Sequence, residues 1–502
     1  MDIARTWSFA RIAIALIFAL VSLRGDEGND NRLLDFNVVA VDDRGQPVND
    51  LTSGEFQVTD AGKHQQIAFF RHNDDKLRQT PALSPNEFSN RNGLTVPHVT
   101  LVLFDLLNER FTTRGVTANQ LIHDLAPMES ADSLYLYLLT LDGRTFAVHG
   151  LTGAEGEPHE QRGVPWTRGI KPLLDGALRE VLRIKPVEIA EDVNIRVQVA
   201  LNALDAIALQ LSMFPGRKNL VWITDGVPLV LGPRRSDTRD YVDFTTQLRQ
   251  LAEVFDRYET AIYPVQPIML DSPDNVGGGN GMESRAALEE LADLTGGRPT
   301  SSKDFGAAVR QAVTDARTSY QLGYYAPPGN WDGKFHKLRI TCTRKGVRIQ
   351  ARSGYYALQE PSGARAQRAI EAAASTSFDA TEIGVRGTVT PADPQNSRQV
   401  HMSWRIDGND VVLAQDGDRY SGQLRLAVIE YQPDGRIASS AVVPIDIHYN
   451  AAERDNSYKE GIDFTKDVML EKDVNKLRFV VFDRGSNAVG SLTVPVGAAA
   501  AR

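Results

Sequence analysis

The 502-residue sequence contains a single cysteine, Cys342, so no disulfide can form within one chain. Residues 337–343 alternate apolar and polar side chains, which predicts a strand in which Cys342 is a small buried apolar residue. Positive charge is also scarce, because 64 Asp and Glu residues outnumber 55 Lys and Arg residues. A nucleic-acid surface needs a basic stripe, so we expect no nucleic-acid partner.

Long apolar runs are scarce as well. The exception is residues 12–23, which follow Arg5 and Arg11 and are interrupted only by Ser22. This arrangement is typical of a secretory signal, and the run is shorter than the ~18–20 apolar residues that span a bilayer. We expect residues 1–25 to be a signal peptide or an uncleaved anchor. The protein is then exported to the periplasm, the outer surface or the medium, and contacts a membrane only through this segment if it is retained.

Motifs of common hydrolases and nucleotide-binding proteins are missing. The sequence has no His-Glu-x-x-His, no Gly-x-Ser-x-Gly and no phosphate-binding loop ending in Gly-Lys-Ser/Thr. The nine histidines are scattered, and the glycine-rich residues 276–281 lack the spacing of a dinucleotide-binding turn. These absences predict that the protein is not an enzyme.

Strand patterns occupy two separated stretches. Residues 33–71 contain short strand signals broken by turn residues, and a period of two returns in residues 317–358. Neither stretch is long enough to build a sandwich alone. We therefore expect the two stretches to pair in one β-sandwich into which the intervening residues are inserted. Residues 72–97 are polar, contain three prolines and are predicted to be a linker.

Residues 98–316 alternate apolar runs with amphipathic helical stripes. Four apolar runs cover residues 99–104, 134–141, 220–223 and 261–265. Such runs are typical of parallel strands that helices cover on both faces. The alternation predicts a doubly wound α/β domain with its ligand site at the carboxyl ends of the strands.

The remainder of the chain is predicted to form a separate domain. Residues 361–375 are alanine-rich and indicate a short helix or linker, and residues 376–498 show strand signals at 8–12-residue spacing. The predicted fold class is therefore α/β. It comprises a doubly wound, mainly parallel-sheet domain inserted in a β-sandwich, followed by a C-terminal Ig-like β-sandwich.

Polar side chains follow the first and third apolar runs. Asp105 ends the first run, with Asn108 and Glu109 just beyond it, and Thr224 and Asp225 follow the third. Oxygen ligands of this kind suit magnesium, calcium or manganese. The alternative is that Asp105 caps the next helix through backbone amides, with no metal.

Five segments carry a resemblance to a known family. They are residues 102–108 (VLFDLLN), 215–223 (PGRKNLVWI), 294–298 (LTGGR), 320–325 (YQLGYY) and 351–356 (ARSGYY). In this order they resemble the von Willebrand factor type A (VWFA)-related acidobacterial family of exported proteins. Residues 98–316 accordingly resemble a von Willebrand type A domain, and residues 489–495 give looser support further along the chain.

The resemblance implies a divalent cation in a metal-ion-dependent adhesion site. Asp105 matches the aspartate of its Asp-x-Ser-x-Ser motif, but Leu107 and Glu109 occupy the two serine positions. Asp225 matches the later aspartate, and Thr167 is the best counterpart of the intervening threonine. The implied site is degenerate, with Asn108, Glu109 or Thr167 completing the ligand shell.

The expected function is adhesion. The strand-end face, with Asn108, Glu109, Thr224 and Asp225, would bind a protein or a surface glycan, with a divalent cation bridging to the partner. One alternative is a metal-free structural or assembly protein of the cell envelope. The other is a metal-assisted hydrolase that uses the same acidic residues, which is less favoured because no general base accompanies them.

Overall fold

The structure of the chain is a computed structural model. It describes residues 32–73, 78–79, 83–84, 86–91, 94–95, 98–108, 114–125, 128, 134–149, 151, 172, 176, 179, 193–225, 230–231, 242–243, 245–267, 279–302, 304–359, 363–393 and 395–496.

Strands and helices follow one another along the chain in three groups. The strands are β1 (Arg32–Asp42), β2 (Phe56–Asp60), β3 (Lys63–Gln65), β4 (Phe69–Asn73), β5 (Arg78–Gln79), β6 (Phe88–Ser89), β7 (Leu94–Thr95), β8 (Val99–Asp105), β9 (Leu134–Leu139), β10 (Thr145–His149), β11 (Lys218–Ile223), β12 (Val230–Leu231), β13 (Val242–Asp243), β14 (Thr260–Pro267), β15 (Thr300–Ser302), β16 (Ser319–Ala326), β17 (Phe335–Cys342), β18 (Val347–Gln350), β19 (Gly354–Tyr356), β20 (Val385–Asp393), β21 (Asn396–Ile406), β22 (Ala414–Asp416), β23 (Arg419–Tyr431), β24 (Ile437–Asn450), β25 (Ile462–Met469), β26 (Lys476–Asp483) and β27 (Val489–Pro495). The helices are α1 (Arg114–Leu125), α2 (Val193–Leu211), α3 (Thr245–Arg257), α4 (Gly279–Thr295), α5 (Phe305–Arg317), α6 (Ala364–Ser375) and α7 (Ala451–Glu460).

Strands β1–β4 and β16–β19 form the first sandwich. One antiparallel sheet has the order β18–β1–β16–β4 and the other has the order β19–β17–β2–β3. β1 pairs with β16 from Arg32 opposite Ala326 to Val39 opposite Ser319. Apolar side chains from both sheets, including Val38 and Leu322, are buried between them. The chain leaves this sandwich after β4 and returns to it at β16.

A helix-covered sheet lies between those two passages. Its order is β10–β9–β8–β11–β14–β15, with β10 antiparallel at one edge and the other five strands parallel. Every residue of β8, β9 and β11 is buried. Helices α2, α3 and α4 share one core with this sheet, and α1 and α5 share another. Coverage of both faces explains why these strands are apolar without alternation.

The second sandwich contains β6 and β20–β27. One sheet has the order β25–β21–β20–β6, and the other contains β22, β23, β26 and β27, with β24 also pairing with β23. In the core, the Trp404 ring stacks on Phe479 with 4.9 Å between centroids. β6 comes from the predicted linker, and nearby Arg91 forms an ion pair with Asp410 at 2.8 Å. Part of the residue 72–97 segment is thus an edge strand of the second sandwich.

The predicted α/β fold class, with a doubly wound type A domain, is wrong. Of the described residues, 44% lie in strands and 28% in helices, so the fold is mostly β. Six of the seven sheets in these ranges are antiparallel throughout. The apolar runs of the middle region dominated the prediction because they stand out in a sequence. Long antiparallel strands such as β23 and β24, with 13 and 14 residues, are half-exposed and give a weaker apolar signal.

None of the helices in the described part of the chain combines the length and apolar character that a bilayer crossing requires. The predicted signal peptide or anchor, residues 1–25, lies outside the described residues.

Candidate functional site

The carboxyl ends of β8 and β11 lie side by side. These strands are parallel neighbours, with Phe104 opposite Ile223, so the residues that follow each strand meet at the same edge of the sheet. Asp105 is the last residue of β8, and the Thr224 hydroxyl donates a hydrogen bond to Asp105 Oδ2 at 3.0 Å. We call Asp105, Asn108, Trp222 and Thr224 the strand-end cluster.

The Asp105 carboxylate accepts four hydrogen bonds within the strand-end cluster. The Asn108 backbone N–H donates to Oδ1 at 2.9 Å, and the Asn108 side-chain amide donates to Oδ2 at 2.8 Å. The Trp222 indole N–H donates to Oδ2 at 3.2 Å, beside the bond from Thr224. Asp105, Trp222 and Thr224 have no exposed surface. The cluster therefore fixes the turn after β8 against the end of β11.

All four donors to Asp105 are neutral. Burial raises the pKa of the Asp105 carboxyl above its usual range, and hydrogen bonds from Asn108, Thr224 and Trp222 oppose this rise without cancelling it. A buried carboxyl in such surroundings is costly to ionise, which is why it needs this many donors.

The structure brings only some of the predicted site residues together. Asp105, Asn108 and Thr224 lie together, whereas Asp225 is partly exposed and its backbone carbonyl accepts a hydrogen bond from Gln266 at 3.1 Å. Glu109 and Thr167 lie outside the described residues.

The described part of this edge does not fit the implied cation. Oδ2 of Asp105 already accepts three hydrogen bonds, and the Thr224 hydroxyl, a candidate ligand, donates its proton to that oxygen. Within the described ranges, no group of three or more His, Cys, Asp and Glu side chains is placed to hold a metal ion.

Trp222 was missed by the sequence reasoning, which treated it as one more apolar residue of a buried strand. The available signal was its indole N–H, because a buried tryptophan normally finds an acceptor.

The amino ends of the same strands contact both sandwiches. Lys218, the first residue of β11, is buried and its Nζ lies 2.9 Å from Glu382 Oε1. Glu382 in turn accepts the backbone N–H of Val489 in β27 at 3.2 Å. Glu259, just before β14, accepts hydrogen bonds from Asn37 of β1 at 3.0 Å and Gln321 of β16 at 2.9 Å. The base of the helix-covered sheet is therefore tied to each sandwich through its own charged residue.

Asp35 of β1 lies at the centre of this contact. Its carboxylate accepts hydrogen bonds from Gln321 at 3.3 Å, from Asn487 of the second sandwich at 2.9 Å and from Arg365 of α6 at 3.4 Å. Buried Arg352 donates to the Asp35 backbone carbonyl at 3.1 Å. We call Asp35, Lys218, Glu259, Arg352, Arg365 and Glu382 the junction cluster. These six residues line a cavity of about 70 Å³.

Comparison with known proteins identifies no family for the chain. No protein-family model and no curated protein matches the chain, so membership of the VWFA-related family stays a prediction. Among solved structures, the pilus adhesin SpaC from Lactobacillus rhamnosus GG aligns with 85% of this chain at 10% identity and a TM-score of 0.26. The alignment spans 57% of the adhesin, less than two thirds of its length. A TM-score this low supports no inference about fold or function.

The segments behind the resemblance have structural roles in the described residues. Buried Arg217 of the PGRKNLVWI segment donates to the Tyr263 hydroxyl at 3.1 Å and to the Gly296 carbonyl at 2.8 Å. Tyr324 and Tyr355, from YQLGYY and ARSGYY, both donate to Oδ2 of buried Asp60, at 2.8 and 3.0 Å. These contacts hold neighbouring parts of the fold together.

Proposed function

We propose that the protein is an exported, non-catalytic binding protein that presents the strand-end edge of its helix-covered sheet to a protein or a surface glycan. One observation carries this proposal: the two ends of the helix-covered sheet are used differently. Lys218 and Glu259 tie the amino ends to the sandwiches, whereas the strand-end cluster lies at the opposite end. Lys218 and Thr224 are six positions apart, a distance of about 20 Å along an extended strand.

The chemistry of the strand-end cluster favours binding over catalysis. A carboxylate, an amide, an indole and a hydroxyl hydrogen-bond to one another there and hold a turn in place. General acid–base catalysis instead needs a group that can exchange a proton with a substrate, and Asp105 has no exposed surface. Asp225 follows Thr224 directly and is partly exposed, so part of its surface lies at this edge.

The binding that we propose does not use a divalent cation, since the oxygen atoms of Asp105 and Thr224 are engaged with each other. This same observation favours a second candidate function, a metal-free structural or assembly protein of the cell envelope. The two candidates differ in whether the strand-end edge makes the essential contact.

Binding of the purified full chain to an envelope fraction and to an array of surface glycans would test the proposal. We expect Asp225→Arg to weaken binding at least tenfold, because it places a bulky opposite charge on the edge. The matched control is Asp434→Arg, at an exposed turn of the second sandwich, which should bind like the wild type. A chelator should have no effect.

Two other results of this binding experiment would contradict the proposal. Equal binding by both variants would reject the strand-end edge and favour the structural candidate. Binding lost on chelation and restored by magnesium would reject the cation-independent mode.

A further inference from the structure

Two carboxyl groups from different parts of the chain meet in the junction cluster. Asp35 comes from β1 of the first sandwich, and Glu259 comes from the turn before β14 of the helix-covered sheet. A single donor, Gln321 Nε2, lies 2.9 Å from Glu259 Oε1 and 3.3 Å from Asp35 Oδ2. Sharing one amide nitrogen places the two carboxyl groups next to each other.

The nearest cations already have partners of their own. Lys218 pairs with Glu382 at 2.9 Å, and its side chain is only 3% exposed. Arg365 of α6 approaches Asp35 at 3.4 Å, on the opposite oxygen from Gln321. Glu259 instead receives neutral amide donors, from Asn37 at Oε2 and Gln321 at Oε1.

The remaining charged groups that face this pair come from two other elements. Arg352, between β18 and β19, donates to the Asp35 backbone carbonyl, and Arg368 of α6 lines the same cavity. Within the described residues Asp35 therefore faces Arg365 and Glu382 faces Lys218, whereas Glu259 is bonded by two neutral amides and, among these cations, feels the charge of Lys218.

The backbone conformation of Glu259 is unusual. Glu259 has a φ of 52°, in the left-handed region that side-chain-bearing residues rarely adopt. Although the residue as a whole is partly exposed, its carboxyl group is buried against the first sandwich. A strained turn that inserts an acid next to another acid requires something to offset the repulsion.

We propose that Glu259 and Asp35 share one proton, and that this proton makes the attachment of the helix-covered sheet to the first sandwich sensitive to pH. The protonated Glu259 carboxyl donates to the Asp35 carboxylate, so one hydrogen bond replaces the repulsion between two like charges. When the proton is lost, the two carboxylates repel each other across the junction.

The electrostatics of both groups agree with this arrangement. Burial, together with the charge of Asp35, raises the pKa of Glu259 well above its usual range. Burial opposes ionisation of Asp35 too, but the hydrogen bond from Glu259 and the charges of Arg365 and Arg352 lower its pKa below the usual range.

The proposal predicts that the stability of the folded chain falls as the pH rises. The folded chain keeps a proton that the unfolded chain releases near the usual glutamate pKa of 4.5. The stabilisation is therefore complete below that pH and is lost as the pH rises through the folded-state pKa of Glu259. Within this window the unfolding equilibrium constant increases by up to about tenfold per pH unit.

Urea denaturation of the full chain between pH 5 and pH 8 tests the proposal. The wild type should lose stability as the pH rises. Glu259→Gln, which mimics the protonated carboxyl, should make this slope clearly shallower, leaving the part that comes from other buried carboxyls such as Asp105, and should raise stability relative to the wild type at pH 8. The matched control is Glu289→Gln on the exposed face of α4, which should keep the wild-type slope.

A second measurement covers the case in which Glu259→Gln misfolds. The infrared spectrum of wild-type protein at pH 6 should contain a protonated-carboxyl stretch that shifts or weakens in Asp35→Asn, because the Glu259 proton loses its carboxylate acceptor. A wild-type slope in Glu259→Gln, or a protonated-carboxyl band that is absent or is unchanged in Asp35→Asn, would overturn the proposal.

Discussion

The strand-end cluster and the junction cluster lie at opposite ends of the helix-covered sheet, and both are built around buried carboxyl groups. Asp105 receives only neutral donors, all from within the helix-covered sheet. Asp35 and Glu259 lie among the cations Lys218, Arg352 and Arg365 and join three parts of the chain. Neutral donors fix one local turn. In the charged junction cluster, by contrast, the attachment of the sheet to the sandwiches depends on every charged residue of the cluster and on pH.

The largest expected effect comes from removing a charge at the junction. Lys218→Met should leave Glu382 buried without its partner and intensify the repulsion around Glu259. Breaking a buried ion pair in this way costs about 3–5 kcal/mol of unfolding free energy, measurable by urea denaturation. Lys334→Met, at a side chain that is 80% exposed, is the control and should change stability by less than about 0.5 kcal/mol. A loss below about 1 kcal/mol in Lys218→Met would mean that the junction does not depend on its charges.

A smaller effect is expected at the strand-end cluster. Asp105→Asn keeps the size of the side chain but turns one acceptor into a donor, which faces the donors of Asn108, Trp222 or Thr224. We expect a loss of about 1–3 kcal/mol at pH 5.

The loss in Asp105→Asn should shrink at pH 8. Burial raises the folded-state pKa of Asp105, so the wild type itself loses stability as the pH rises through that value. Asparagine does not titrate. A loss that grows between pH 5 and pH 8 would show that ionised Asp105 is favoured in the folded chain, as a bound cation would require.

The apolar runs allowed much of the helix-covered sheet to be predicted from the sequence. The runs at 99–104 and 220–223 lie in β8 and β11, and the parallel pairing of these strands brings Asp105 and Thr224 together. Periodicity reports local structure well because a buried strand must be apolar on both faces. The overall class was wrong because the same rule says little about half-exposed antiparallel strands.

The junction cluster could not be predicted in the same way. Asn37 and Glu259 are 222 residues apart in sequence, and Asp35 and Asn487 are 452 apart. Single charged residues at strand ends normally indicate solvated positions, and no local pattern shows that two such residues meet. The cation, the partner and the roles of Glu109 and Thr167 stay predictions.

The smallest expected effect is the coupling between the two clusters. Lys218 and Thr224 lie about 20 Å apart along β11, so their substitutions should act independently. In a double-mutant cycle of Lys218→Met and Thr224→Val, we expect an interaction energy below about 0.5 kcal/mol. A coupling of 1 kcal/mol or more would mean that the two ends of the sheet form one cooperative site.

Hydrogen–deuterium exchange of Lys218→Met compared with the wild type is the most direct test of the two roles. These are attachment of the sheet to the sandwiches at its amino ends and presentation of a binding surface at its carboxyl ends. We predict faster exchange in β1, β16 and the residues around Glu382, where the junction opens, and unchanged exchange at residues 102–106 and 221–225. Faster exchange at the strand-end residues, with the junction still protected, would contradict the assignment of separate roles to the two ends.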